Sequence, residues 1–380
     1  MSYLIKNAHL VSPDIELFDA AVELENGLVK KIYAQGESLP EGCEEYQAAG
    51  KMVVPGFIDA HCHGGMGYEV TSDDSQAIRI IAEAKLREGV TSFCPTTLTL
   101  PEEKLAASLR NIEAYRQAPT GCKVIGTHLE GPYINPECAG AQNPAFLRKA
   151  DIGEVLRLHA VSPVALISYA IEMEGSLEFT RQLCAAGITA SCGHTNATCA
   201  QFKAGMPFGL RRLTHFCNQM TKLHHREIGL VGAGLMEDSV AIEMICDKIH
   251  LCPDMIRLAF KSKPIGKILL ISDAMEATGL PDGNYQLGGL AVVVAEGAAR
   301  LASNGALAGS TLQMNTAFKN VAEETGLPLA QLVKTTSWNQ AQDLGLKKLG
   351  KLEAGFIADI AVLDDAFNVA AVFLEGVRKF

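Results

Sequence analysis

Eight short apolar runs recur between residues 53 and 272, each followed by a charged, helix-like stretch, and nothing else in the chain limits its fold as tightly. They lie at 53–59, 90–95, 123–129, 164–169, 188–193, 211–216, 240–246 and 268–272. Runs of this length without polar alternation belong to strands buried on both faces, as in a parallel sheet, and the stretches between them supply the crossovers. Helices are read most clearly at 73–88, 101–116, 175–186 and 253–261, with a shorter one at 198–204. Eight parallel strands with intervening helices over some 220 residues fit a closed (β/α)8 barrel of the TIM type better than an open sheet.

The two ends of the chain have a different texture. Strand-like pieces at 4–8, 21–24 and 28–33 surround a turn at Glu25-Asn26-Gly27, and β character returns at 358–363 and 369–374. Neither end can bury a core alone, so both are expected to pair into one small β-sandwich-like domain, residues 1–52 with 352–380, beside a barrel catalytic domain over 53–351. Between them, 285–294 suggests a hairpin, and 310–324 and 329–338 read as helices.

With 48% hydrophobic and 20% charged residues in 380, the chain excludes disordered and fibrous classes. No apolar run approaches the roughly 18 residues of a membrane span, and the first residues lack a basic region followed by an apolar core, so a cytoplasmic protein is expected. Eleven cysteines without a Cys-x-x-Cys pair, several in apolar segments, look like buried small hydrophobes of a reducing compartment. A net charge of −10 argues against nucleic acid as a partner.

In such a barrel the C-terminal strand ends build the active site, and metal-ligand residue types collect there. His61 and His63 follow the first run. On an extended segment residues two apart point the same way, so the two imidazoles can converge on one cation while Cys62 points elsewhere. Glu130 ends the third run, His194 the fifth, His215 the sixth and Asp273 the eighth. Any one of these reads as a capped or solvated side chain; together they read as a site for a divalent metal. Nitrogen and oxygen donors suit zinc, placed first, or iron, manganese or cobalt, as one or two ions. Asp273 is the carboxylate best placed to take a proton from a metal-bound water and pass it to a leaving group, or to serve as a further ligand.

Pro55-Gly56-Phe57-Ile58-Asp59-Ala60-His61-Cys62-His63 resembles the opening of the amidohydrolase superfamily, and His128-Leu129-Glu130-Gly131-Pro132-Tyr133 resembles its N-acetylglucosamine-6-phosphate deacetylase branch. The likeness continues through Gly193-His194-Thr195-Asn196-Ala197, Thr214-His215-Phe216-Cys217-Asn218, Ser272-Asp273-Ala274-Met275 and Leu307-Ala308-Gly309-Ser310-Thr311, across almost the whole chain.

This resemblance implies removal of the acetyl group from an amino sugar 6-phosphate, with Glu130, His194 and His215 on the main metal and Asp273 as base and then acid. His61 and His63 would hold a second ion, shared with Glu130 and, as a further ligand, Asp273. Arg226 matches the family's phosphate-binding arginine, which reaches a neighbouring subunit's site and implies a homodimer. Asn218, Gln219 and His250 match sugar-contacting positions, and Ala141, Gln142, Leu307, Ala308 and Gly309 fall on other ligand contacts.

Three residues depart from the common family form: Lys248 stands where Gly is usual, Gln219 replaces Ala and Asn315 replaces Asp. Lys248 would put a flexible cation near the sugar, and such changes could move preference to the galacto epimer. Another amidohydrolase is a competing reading, opposed by Glu130 where those branches carry a carboxylated lysine; a non-catalytic sugar-phosphate-binding regulator is opposed by Asp273.

Overall fold

Gly56 divides the apolar stretch between two sheets. In the computed structural model, which describes residues 2–380, Met52–Pro55 runs in a sheet made of the chain ends and Phe57–Cys62 begins the barrel. The expected single run at 53–59 is therefore two strands. A Cβ at Gly56 would lie 2.2 Å from Thr91 Cγ2, so only glycine lets the chain step from one sheet to the other.

The barrel strands are Phe57–Cys62, Val90–Thr97, Thr127–Glu130, Val164–Tyr169, Thr189–Cys192, Arg212–Leu213, Ala241–Met244 and Ile268–Leu270, each parallel to the next. Lys123–Val124 adds a short piece beside Val90–Thr97. The ring closes where Cys62 bridges Ala274 and Asp273 N–H donates to His61 C=O at 2.9 Å. Closure thus brings the ends of the first and eighth strands together, each carrying a candidate ligand.

Helices Ala77–Leu86, Glu102–Gln117, Ser176–Ala185, Cys199–Gly205 and Pro253–Ser262 agree with expectation within a few residues. Two more, Ile152–Val161 and Gly229–Met236, complete the crossovers. Asp151 caps the first, accepting from Gly153 N–H, while the second is almost wholly buried and so lacks an amphipathic pattern. The helix expected from 310 begins at Met314, because Ser310 N–H is held by Asp273 C=O at 2.7 Å and extends the barrel instead. The stretch 329–338 breaks into Leu329–Leu332, a 3-10 turn at Val333–Thr336 and Trp338–Asp343.

Strands from both chain ends share one sheet, in the order Val377–Arg378, Val369–Leu374, Ile360–Leu363, Met52–Pro55, Ser2–Ser12, Ile15–Glu25, Leu28–Tyr33, with Glu44–Gln47 paired to Ser2–Ser12. Asn26 and Gly27 take φ of +53° and +79°, as a primed hairpin turn requires. Alternate residues face different cores: Val53, Ile360 and Val362 pack among the terminal strands, whereas Val54, Ala361 and Leu363 join the barrel cluster. Burial on both faces explains the continuous apolar texture of these strands. The expected hairpin near 285–294 is a three-stranded sheet, Gly283–Leu287, Leu290–Ala295 and Ala298–Leu301, packed over the barrel mouth through Leu98 and Met275.

Candidate active site

Each strand end delivers its expected side chain to one buried place. Glu130 Oε1 lies 3.3 Å from His61 Nε2, 3.2 Å from His194 Nε2 and 3.1 Å from His215 Nε2; its Oε2 lies 3.2 Å from His63 Nε2. Asp273 Oδ1 stands 3.4 Å from His61 Nε2 and 3.3 Å from His63 Nε2. Two ligand sets result: His61 with His63 and Asp273, and Glu130 with His194 and His215. Glu130 lies within reach of both.

The rings are turned so that their Nε2 atoms converge. His63 Nδ1 donates to Thr96 C=O and His194 Nδ1 to Cys138 C=O, while His61 Nδ1 donates to the Glu243 carboxylate at 3.0 Å. These partners only accept, so each Nδ1 carries a proton and each Nε2 is the nitrogen turned inward, free to offer its lone pair to a metal. The Nε2 atoms then stand 3.2 Å apart in the His61–His63 pair and 3.0 Å apart in the His194–His215 pair. Lone pairs at that distance repel unless a cation lies between them, and a tetrahedral ion with bonds near 2.1 Å sets its ligand atoms about 3.4 Å apart. Asp273 Oδ1, buried without a hydrogen bond, completes a donor set that fits a divalent metal.

Electrostatics agree. Burial opposes ionisation of Glu130, yet the histidines His61 and His194 beside it hold its carboxyl well below the usual range. Burial likewise works against the charged form of Asp273, and His61 and His63 outweigh it and lower its pKa. For His63, burial favours the neutral ring, but Asp273 and Glu130 lift it to about 9. Such values mark a pocket that needs positive charge, from protons or from a metal.

His194, His215 and Asp273 have φ of +48°, +29° and +51°, a region that costs a non-glycine residue of order 1 kcal/mol or more. Each sits just beyond its strand, where this backbone reversal turns the side chain over the barrel mouth. Above them opens a narrow cleft with an enclosed volume of only about 20 Å³, and Ala141, Gln142, Asn218, Gln219, Leu307 and Gly309 line it together with the ligands. Gln142 donates to Glu130 Oε2 at 2.5 Å and accepts from Thr99 N–H, so it is fixed in place.

A profile of the amidohydrolase family matches residues 52–379. The chain belongs to the amidohydrolase family. It is 36% identical over 380 residues to an N-acetylgalactosamine-6-phosphate deacetylase of Escherichia coli, covering 99% of each chain. It is 33% identical to the N-acetylglucosamine-6-phosphate deacetylase of Lysinibacillus sphaericus, covering 96% of this chain and 94% of that one. Among solved structures, the N-acetylglucosamine-6-phosphate deacetylase of Thermotoga maritima superposes with a TM-score of 0.90 at 36% identity, covering 99% of both chains. A mutant of the Mycobacterium smegmatis enzyme in complex with N-acetyl-D-glucosamine-6-phosphate gives a TM-score of 0.93 at 31% identity, again over 99% of both. This amidohydrolase is a metal-dependent hydrolase with a (β/α)8 barrel.

Other expected residues lie outside the cavity lining. Arg226 is exposed in a tight turn, its guanidinium 2.9 Å from His225 Nε2. His250 bonds Asp247 through Nδ1 at 2.7 Å and keeps a buried, unpartnered Nε2. Ala308 turns its methyl into the apolar cluster under the three-stranded sheet. Lys248 is no sugar-site cation: its φ of +66° swings the side chain onto Glu323 and Glu324, at 3.1 and 3.0 Å. Asn315 donates to Phe367 C=O, also away from the cavity.

Three buried groups escaped the sequence. Glu243 supports His61; His128, packed 4.5 Å from the His61 ring and bonded to Ser168, is driven strongly towards neutrality by burial; Lys85 ties Asp59 and Glu88 behind the metal ligands. His128 adjoins the Glu130 motif, and Glu243 is the one charge in an apolar strand. Lys85 gave no signal, because a lysine in an amphipathic helix reads as solvated.

Proposed function

We propose that this amidohydrolase removes the acetyl group from N-acetylglucosamine 6-phosphate, releasing acetate and glucosamine 6-phosphate. The observation that carries the reading is Asp273, ionised and buried against His61 and His63 beside the Glu130–His194–His215 set, at the floor of the cleft over the barrel mouth. A divalent ion held there, zinc first among the candidates, supplies Lewis acidity to the acetyl carbonyl and acidifies the attacking water. Asp273 accepts the proton of that water and returns it to the amine nitrogen, without which an amide is a very poor leaving group. Glu130, His194 and His215 hold the principal ion, and His61 and His63 a second.

Asn218, Gln219 and Gln142 supply amide groups for the sugar hydroxyls, with the 141 and 307–309 backbone closing the sides. His250 offers its free Nε2. The exposed Arg226 grips the phosphate of a neighbouring subunit's substrate in a homodimer, where its planar fork can pair with two oxygens. Eleven cysteines, none in a disulfide, support work in a reducing cytoplasm, and among the described residues no helix is long and apolar enough to cross a membrane. The terminal sheet and the barrel are the two domains on this reading, with the first division at Gly56, four residues later than the expected 52, and the second near 352.

A galacto substrate is the second reading. It is favoured by Gln219, whose amide lies in the cavity near Gly140, together with the relative that acts on the galacto epimer. Acetate release from both epimers, with and without the 6-phosphate, separates these readings. Turnover of phosphorylated sugars that disappears in Asp273→Asn while ligand binding persists is the expected result. Binding without acetate release under zinc, iron, manganese or cobalt would overturn the assignment.

A further inference from the structure

The four histidines are not oriented alike. Backbone carbonyls hold His63 and His194, but a carboxylate holds His61, and His215 Nδ1 is buried with no partner. What anchors His215 is its backbone: its N–H donates to Glu243 Oε2 at 3.1 Å, the same oxygen that receives His61 Nδ1 at 3.0 Å. Glu243 C=O also accepts Phe216 N–H at 2.7 Å, clamping the turn that forces His215 to its φ of +29°. One fully buried oxygen therefore touches a residue of each ligand set.

The other oxygen is held from behind. Glu243 Oε1 accepts Arg212 Nε at 2.8 Å, with Nη2 at 2.7 Å, and Arg212 makes a second ion pair with Asp343. A carboxylate inside a barrel without such a partner would carry a desolvation penalty of several kcal/mol. Arg212 and Glu243 come from adjacent strands, so the pair is built into the barrel wall.

We propose that Glu243 is a positioning residue that fixes the separation of the two metal positions, with Arg212 locking its carboxylate, a role that rests on the two-ion site proposed for this protein. Acting on His61 it selects the ring form whose Nε2 lone pair faces inward and makes that nitrogen a better donor. Acting on His215 it sets where the ring stands. A change at Glu243 is therefore felt by both ions, whereas loss of a carbonyl contact would be felt by one.

The test is competition between a chelator and the purified full chain for Zn²⁺, with the thermal midpoint of the metal-free protein as a measure of folding. Glu243→Gln keeps the shape, but its amide can turn an oxygen to His61 or to Arg212, not to both. Zinc affinity at both positions is expected to fall about 10- to 100-fold. Asp343→Asn, which touches the same Arg212 and neither histidine, is expected to lower the midpoint with zinc affinity unchanged. Should Glu243→Gln not fold, Glu243→Asp keeps the charge for Arg212 and withdraws the oxygen from His61, with the same expectation.

Wild-type affinity in the Glu243 variants would overturn the proposal. So would equal weakening by Asp343→Asn, a loss confined to one position, or a wild-type chain that takes up a single zinc. No substrate enters these measurements, so failure to release acetate from any amino sugar would leave their outcome standing.

Discussion

Lys85 is the residue whose removal should reveal most about how the metal floor is held. It is 1% exposed, and its ammonium reaches Glu88 at 3.0 Å, Asp59 at 3.1 Å and Ser272 at 3.1 Å. Asp59 in turn accepts from the backbone N–H of Ser272 at 3.2 Å and the Ser272 hydroxyl, next to Asp273. Lys85→Met keeps the bulk and leaves two buried carboxylates without their cation. Removing one partner of a buried ionic cluster costs about 3–5 kcal/mol. At about 2.1 cal/mol/K per residue, a cooperative unit of 380 residues has an unfolding entropy near 0.8 kcal/mol/K, so the midpoint should fall by about 4–6 °C.

The pH dependence supplies the sharper signature. Burial already raises the pKa of Glu88, against the opposing pull of Lys85, and loss of the ammonium raises it further. A carboxyl whose folded pKa lies above its unfolded value binds more protons folded than unfolded in the window between them, so stability falls as pH rises across it. The gap between variant and wild type should be smallest in the ordinary carboxylate range and widen toward neutral pH. Calorimetric scans from pH 4.5 to 8 measure it. A shift below about 1 kcal/mol that stays flat across this range would refute the buried-cluster argument.

The metal site itself offers a proton count. Burial favours neutral rings, but the carboxylates raise His61 well above its usual value and His63 to about 9, so at pH 7.5 the metal-free site holds protons that zinc must displace; calorimetry in buffers of different ionisation enthalpy should show about two released per loaded site, and no release would contradict the assignment. Gly56→Ala drives a methyl into Thr91 between the two sheets and should destabilise by about 3 kcal/mol or more, read as a lower denaturant midpoint. Lys248→Gly relieves a left-handed backbone and removes only partly exposed ion pairs, so stability should change by less than about 1 kcal/mol and KM should stay put; a large KM change would restore Lys248 to the sugar site.

The barrel was legible because strands buried on both faces leave uninterrupted apolar runs, and the candidate ligands because they sit where those runs end. Gly229–Met236 was not, since a helix buried all round has no polar face to give it period. Glu243 was absorbed into the run at 240–246 as its lone ion, and its partner Arg212 in the neighbouring strand was masked by the adjacent Arg211. Lys85 and Asp59 are 26 positions apart and Asp59 and Ser272 are 213 apart, separations that no local pattern encodes.

The least legible feature is the direction in which the ligands leave their strands. His194, His215 and Asp273 all reverse through left-handed φ, and although aspartate and histidine enter that region more readily than most residues, no local turn signal at these positions marks the reversal. The strain persists because tertiary bonds pin each reversal. Asn135 N–H holds His194 C=O, Glu243 holds His215 and Phe216, and Asp273 is gripped on both sides, by His61 C=O on its N–H and by Ser310 N–H on its carbonyl. Every clamp comes from another strand or loop, so the reversals form only when the barrel closes. The sequence can therefore mark which residues meet a metal, while the angle at which they meet it belongs to the closed ring.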